Sequence, residues 1–145
     1  MILLDTNVVL AAQRSDHPHH GVARPWLAHI VDRRKSFGVP ATVWASFGRL
    51  TTDRRVFREP TPIADAFAFI RAVVGQPGYQ RIEAGERHVE VFQAMCVENE
   101  VAGGLVVDAH LAALAVENGA ALASFDRDFA RFSNLEWILP ASPGL

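Results

Sequence analysis

A chain of 145 residues, half of them hydrophobic and 21% charged, is long enough for one domain with a buried core and too apolar for disorder. The single cysteine, Cys96, excludes an internal disulfide, and the start of the chain lacks a basic leader. No apolar run approaches the ~18 residues of a membrane span, so a cytoplasmic protein with no membrane partner, folded as one domain over 1–145, is expected. The net charge of −2 conceals an asymmetry: residues 1–60 carry nine basic against five acidic side chains, and residues 61–145 carry five against eleven. Thirteen of the fourteen basic residues are arginine. A basic half of this kind suits a nucleic acid or an acidic protein, against the plainer reading of a solvated surface.

In chain order, Ile2-Leu3-Leu4 has no alternation and predicts a short strand buried on both faces, ending abruptly in Asp5-Thr6-Asn7. Val8 to Ala12 predicts a short helix that ends near Arg14-Ser15-Asp16. His17-Pro18-His19-His20-Gly21 is a loop; its histidines have no cysteine partner nearby and read as a surface lead-in rather than a zinc site. A helix follows from about Val22 to Arg34, with Trp26, Leu27, Ile30 and Val31 on one stripe. Ser36 to Val39 predicts a strand. Pro40 suits the first position of the next helix, in which Val43, Phe47 and Leu50 recur at helical spacing. Arg49, Arg54, Arg55 and Arg58 extend from its far end as the densest basic patch.

After the break at Glu59-Pro60-Thr61-Pro62, the clearest helix of the chain places Ile63, Ala66, Phe67, Ile70, Val73 and Val74 on one apolar face. Tyr79 to Ile82 predicts a strand, and Glu86 to Glu98 a helix with Val89, Phe92, Met95 and Cys96 inward. Beyond Ala102-Gly103-Gly104, Leu105 to Ala115 predicts a helix of small and aliphatic residues with Asp108 near its start, capped at its far end by Gly119. Ala120 to Ala123 and Leu135 to Leu139 are the last strands. Strands separated by helices predict an α/β domain with a mainly parallel sheet.

Three places share one pattern, an apolar stretch running directly into an acid: Leu4-Asp5, Val107-Asp108 and Ala123-Ser124-Phe125-Asp126. Taken singly, each acid is a plausible helix cap. Taken together, parallel strands would bring them to one sheet edge, where active sites of open α/β sheets gather. Two carboxylates ~4–5 Å apart repel by roughly 3–4 kcal/mol at an effective dielectric near 20, which a cation between them relieves. Oxygen ligands without cysteine or histidine suit Mg²⁺ or Mn²⁺, and phosphoryl transfer is the chemistry such a site serves.

Ile2-Leu3-Leu4-Asp5-Thr6-Asn7, Asp108-Ala109-His110-Leu111-Ala112-Ala113-Leu114-Ala115 and Ser124-Phe125-Asp126-Arg127-Asp128-Phe129 together resemble the PIN-domain family, and within it the VapC toxins of bacterial toxin–antitoxin pairs. The stretches Val43-Trp44 to Thr51 and Arg55-Val56-Phe57 are similar to a mycobacterial branch of that family. The resemblance implies a three-layer α/β/α PIN-like fold and an Mg²⁺-dependent endoribonuclease that cuts structured RNA, such as tRNA or rRNA, and is silenced by a VapB-type antitoxin. It implies Asp5, Asp108 and Asp126 as catalytic metal ligands, Asp128 as a further ligand, and Thr6 and Ser124 as site-lining residues. One departure stands out: many members carry a glutamate where this chain has Ser46, which implies one carboxylate fewer.

Beside that resemblance, the arginines at 49, 54, 55 and 58 are candidates for RNA phosphate, and apolar helix faces around Trp26, Trp44 and Phe67 are candidates for a homodimer or an antitoxin helix. Two rivals remain. A phosphate-receiving domain would want a paired-acid motif early and a late lysine, whereas Lys35 is the only lysine. A catalytically impaired binding module would keep the fold and recognise RNA or protein without cutting.

Overall fold

The computed structural model describes residues 1–144. Four short strands and six α-helices follow one another along it: β1 (Ile2–Leu4), α1 (Thr6–Gln13), α2 (His20–Asp32), β2 (Phe37–Gly38), α3 (Ala41–Thr51), α4 (Ile63–Val74), α5 (His88–Glu98), α6 (Leu105–Glu117), β3 (Ala121–Ala123) and β4 (Trp137–Ile138). A 3₁₀ turn, Arg127–Arg131, lies between β3 and β4.

The sheet order is β2-β1-β3-β4 and every pairing is parallel, with Leu4 opposite Ala123 and Leu3 opposite both Leu122 and Gly38. This goes further than the mainly parallel sheet expected. Leu3, Leu4, Leu122 and Ala123 are fully buried, as a sheet covered on both faces requires. The helices fall into a group with contacts running α2–α1–α3–α4 and a second pair, α5 and α6, of which α6 also packs on β3. The result is the three-layer α/β/α architecture. The chain leaves β1 towards one side of the sheet and β3 towards the other, so strand order reverses between them. A crevice opens at the carboxyl ends of strands at such a reversal.

Several elements differ from expectation. Tyr79 to Ile82 forms no strand, only one parallel bridge between Tyr79 and Phe37. Of the four residues only Ile82 is buried, while Arg81 pairs with Glu83 in solvent. The segment still lies tight against β2: a Cβ on Gly38 would sit 2.5 Å from the Gln80 carbonyl oxygen, so no side chain fits there. Pro40 occupies the residue before the first turn of α3 rather than the turn itself. The Arg127–Arg131 turn was not anticipated, and the last strand contracts to Trp137–Ile138.

The expected inward face of α5 also turns out differently. In α5 Met95 is buried, but Val89 is 75% exposed. In α4 only Ala66 and Val73 are buried, while Ile63, Phe67 and Val74 face solvent, Phe67 at 53%. Trp26 is buried, and Trp44, packed edge-on against Phe47 and Phe69, is half-buried. Gly119, at φ +62°, ends α6 in the left-handed conformation that favours glycine, as expected.

Candidate active site

The site begins where β1 stops. The Asp5 amide still donates to the Ala123 carbonyl (3.0 Å), continuing the β1–β3 pairing. Its side chain already serves as the N-cap of α1: Oδ1 accepts the Thr6 N–H at 2.6 Å. Both readings of Asp5 therefore meet in one residue. Oδ2 accepts from the Ser124 hydroxyl (2.7 Å) and from Asn7 Nδ2 (3.2 Å).

Ser124 is fully buried and ties three segments together. Its Oγ accepts from Asn7 Nδ2 (3.0 Å) and from the Asp126 N–H (3.0 Å), and its carbonyl accepts from Trp137 Nε1 (3.0 Å). Asn7 Oδ1 in turn accepts the Phe125 N–H at 3.1 Å. Asn7 and Ser124 are thus the clamp that joins the end of β1 to the end of β3. Asp126 caps the 3₁₀ turn by accepting the Asp128 N–H at 2.9 Å, which holds both acids on the short path out of β3.

Asp108 arrives from the other direction, in the first turn of α6. A cleft of about 140 Å³ is lined by Asp5, Thr6, Thr42, Ser46, Asp108 and His110, with Val43, Val107 and Leu111 as its apolar wall. Of the residues singled out in the sequence, Asp5, Thr6, Ser46 and Asp108 share this cleft. Ser124 lies behind it, and Asp126 and Asp128 flank it on the turn after β3. Arg49, Arg54, Arg55 and Arg58 are exposed beyond it. Thr42, Ser46 and Arg49 follow one stripe of α3, so Arg49 continues the cleft wall, and the other three arginines follow in the segment after α3.

The electrostatics of the site are those of like charges held together. Burial pushes the Asp5 carboxyl up; the Ser124 and Thr6 hydrogen bonds oppose this, and the charge of Asp126 adds to it. Asp108 is pushed up to about 6, first by burial and then by Asp126, Asp5 and Asp128, with Arg131 as the opposing charge. None of the four acids forms a salt bridge among the described residues. Nor does any group of three His, Cys, Asp or Glu side chains among those residues lie close enough to hold an ion as it stands. The acids are brought to one edge without being drawn into a cage. Asp5 is fixed by its own hydrogen bonds, and no salt bridge among the described residues draws the others inward. As a donor set they fit a hard divalent ion, with oxygen ligands only and a mutual repulsion that such an ion would remove.

Three residues of the site were not picked out from the sequence. Asn7 stood inside the Asp-Thr-Asn motif without a role of its own. Thr42 carried no signal. His110 was part of the Asp108 motif without a role; burial and the nearby His88 push its imidazole pKa down, and Glu117 opposes this.

Comparison with known proteins places these observations in context. A family model for the PIN domain matches residues 2–135. The chain is 49% identical over 140 residues to ribonuclease VapC25 of Mycobacterium tuberculosis, covering 97% of this chain and 99% of that one. It is 48% identical to ribonuclease VapC31 of the same organism over the same span. Among solved structures, VapBC2 of Rickettsia felis bound to a promoter DNA fragment superposes with a TM-score of 0.69 at 17% identity, covering 95% of this chain and 98% of that one. Mycobacterium tuberculosis VapC20, a Sarcin-Ricin loop cleaving toxin, superposes with a TM-score of 0.64 at 17% identity, covering 94% and 98%. At that identity the two structures speak for the fold alone.

Proposed function

The chain belongs to the PIN domain family, in its VapC group, and from that premise we propose that it is a metal-dependent endoribonuclease, the toxin of a toxin–antitoxin pair. The observation that carries the reading is Asp108. Its carboxyl is held at about 6 by burial and by three other carboxylates, with no ion-pair partner among the described residues. Like charge gathered at the switch point of a parallel sheet and opposed only by Arg131 suits a cation-binding catalytic centre. Naming as ribonucleases of relatives nearly half identical over almost the whole chain supports the same reaction.

In this reading Asp5, Asp108 and Asp126 hold Mg²⁺ or Mn²⁺, with Asp128 as a further oxygen donor. The ion, when bound, supplies Lewis-acid stabilisation of the phosphate and activation of the attacking water. The chain's own part is placement. Ser124 and Asn7 fix the rotamer of Asp5, so its carboxylate does not turn away when substrate arrives. Thr6, Thr42 and Ser46 line the cleft with neutral polar groups that a phosphodiester can approach without added repulsion. Ser46 takes the place of a further acid, which lowers the negative charge the substrate meets and also the number of ligands. Arg49, Arg54, Arg55 and Arg58 bind backbone phosphates leading to the cleft; such contacts supply sequence-independent affinity.

The partner of this toxin is a VapB-type antitoxin, and a second copy of the chain completes the assembly. The uncovered face of α4, with Ile63, Phe67 and Val74, is the apolar surface available for such protein contacts. The test of the enzyme reading is cleavage of structured RNA by purified, partner-free protein with Mg²⁺, with EDTA, and with Asp5→Ala. Cleavage confined to the Mg²⁺ wild-type sample is expected. Binding without any cleavage would leave only the binding-module reading.

A further inference from the structure

Behind the cleft wall lies a chain of hydrogen bonds that the proposed metal chemistry does not use. Glu117 Oε2 and His88 Nδ1 are 2.5 Å apart, and His88 Nε2 and His110 Nδ1 are 3.1 Å apart. The Glu117 and His88 side chains are only 9% and 15% exposed. The two imidazoles meet edge to face at 4.9 Å, with Phe92 packed against both. The other Glu117 oxygen accepts the Gly85 N–H, so the carboxylate is held at both ends.

The chain fixes the positions of both rings. With both rings neutral, His88 Nδ1–H donates to the Glu117 carboxylate and His88 Nε2 accepts from His110 Nδ1–H. His110 Nε2 then carries a lone pair. It has no hydrogen-bond partner among the described residues and is not among buried polar atoms lacking one, so it is open to the outside. What it meets there is the cleft. His110 and Thr42 line both the hollow that holds Asp5 and Asp108 and a second hollow of about 490 Å³ between Pro40, Ile82 and Ala84. The two hollows share Thr42 and His110, so His110 stands between them.

We propose that His110 reads the ribose 2′-hydroxyl of the nucleotide next to the scissile phosphate, positioned for this by Glu117 and His88. The inference rests on the RNA-cleaving reading of the same cleft. A phosphate oxygen has no proton to offer a lone pair, whereas the 2′-hydroxyl donates one, and it is the group that distinguishes RNA from DNA. The hollow beside the acids has room for about five waters at ~30 Å³ each, the space of a sugar rather than a base pair.

Binding tests this independently of cleavage. The probes are a fluorescent RNA hairpin with a randomised loop and the DNA hairpin of the same sequence, titrated without metal into the full chain. Wild type is expected to prefer RNA. His110→Phe, which keeps a ring against His88 and Phe92, should cut the RNA:DNA preference by about three- to tenfold, the range for one hydrogen bond. His88→Phe should cut it by a similar factor while circular dichroism stays native. With the wild-type protein, single 2′-deoxy substitutions within the RNA hairpin should localise the loss to one or two positions, which requires no variant to fold. An unchanged ratio in folded His110→Phe, or a loss spread evenly over all deoxy positions, overturns the proposal. The Mg²⁺ requirement for cleavage, followed in parallel, keeps the two readings apart. Absent cleavage with an intact RNA preference sinks the enzyme and not the sugar contact. A His110→Phe protein that changes only its Mg²⁺ requirement makes His110 a metal ligand and overturns the sugar contact.

Discussion

At the scale of single residues, the acids of the site are costly to the fold. Asp108 has a folded-state pKa of about 6 against an ordinary 3.8. A carboxyl raised by folding holds its proton more tightly in the folded chain. Its stabilising contribution is therefore fully present below 3.8 and is lost as pH climbs from 3.8 to about 6. Asp108→Asn should flatten that part of the urea-midpoint profile. It should also stabilise the protein at neutral pH by about 1 kcal/mol, a value kept small by solvent screening at a partly exposed site, while abolishing cleavage. Mg²⁺ should raise the melting temperature of wild type at neutral pH and leave that of Asp108→Asn unmoved; equal shifts in both would remove Asp108 from the ion's ligands. Ser46→Glu adds a third carboxylate to the cleft lining, beside Asp5 and Asp108. It should lower the Mg²⁺ concentration needed for half-maximal cleavage and lower the metal-free melting temperature. The opposite pair of shifts would show that a carboxylate at position 46 plays no part in holding the ion.

These residues also show where sequence reading stops. Asp5, Asp108 and Asp126 were legible because each ends an apolar run. Asn7 and Ser124 lie 117 positions apart, and their hydrogen bond exists only because Leu4 and Ala123 share a parallel register. The Glu117–His88–His110 chain likewise depends on the way α5 packs on α6. Neither pattern has a local signature.

At the scale of elements, α4 was read as a helix with one apolar face, and the structure buries Ala66 and Val73 of that face while leaving Ile63, Phe67 and Val74 exposed. Periodicity reports which residues share a face, not what covers it. Phe67→Ser should therefore leave the melting temperature within a few degrees of wild type, since a half-exposed side chain contributes little to the monomer. It should weaken association in sedimentation experiments with the antitoxin. A large loss of monomer stability would mean that this face is covered within the chain. Arg14 is the reverse case. It read as the ragged end of a helix, yet it is buried beneath the segment that carries the arginine patch. Its guanidinium pairs with Asp16, donates to the Glu59 carbonyl and Thr61 Oγ1, and lies 4.1 Å from the centre of the Phe57 ring. Next to it Gln13, Thr51 and Thr61 share further hydrogen bonds. Arg14→Ala should cost about 2–4 kcal/mol in denaturant unfolding, because it strands these partners. Arg14→Lys should recover only part of this, since an ammonium lacks the planar fork.

At the scale of the whole molecule, the charge asymmetry of the sequence has a spatial counterpart. Arg49 on α3 continues the wall of an acid-lined cleft at the switch point of the sheet, and Arg54, Arg55 and Arg58 are exposed in the segment that follows α3. A nucleic acid drawn to the arginines thereby reaches carboxylates that on their own would repel it. Removing any one of Arg49, Arg54, Arg55 or Arg58 should weaken RNA binding about equally for all sequences and reduce the slope of log K against log salt by about 1. Among the described residues no helix is long and apolar enough to cross a membrane.

The most direct test of the central claim, that Asp5 and its neighbouring acids form a metal-dependent RNA-cutting centre, is to sequence the 5′ ends of cellular RNA after induction of wild type and of Asp5→Asn. The substitution keeps an oxygen for the Thr6 amide and removes the charge. Wild type should produce reproducible cuts at discrete positions, and folded Asp5→Asn should produce none. Cuts that persist undiminished in Asp5→Asn would return Asp5 to the role of a helix cap and contradict the account.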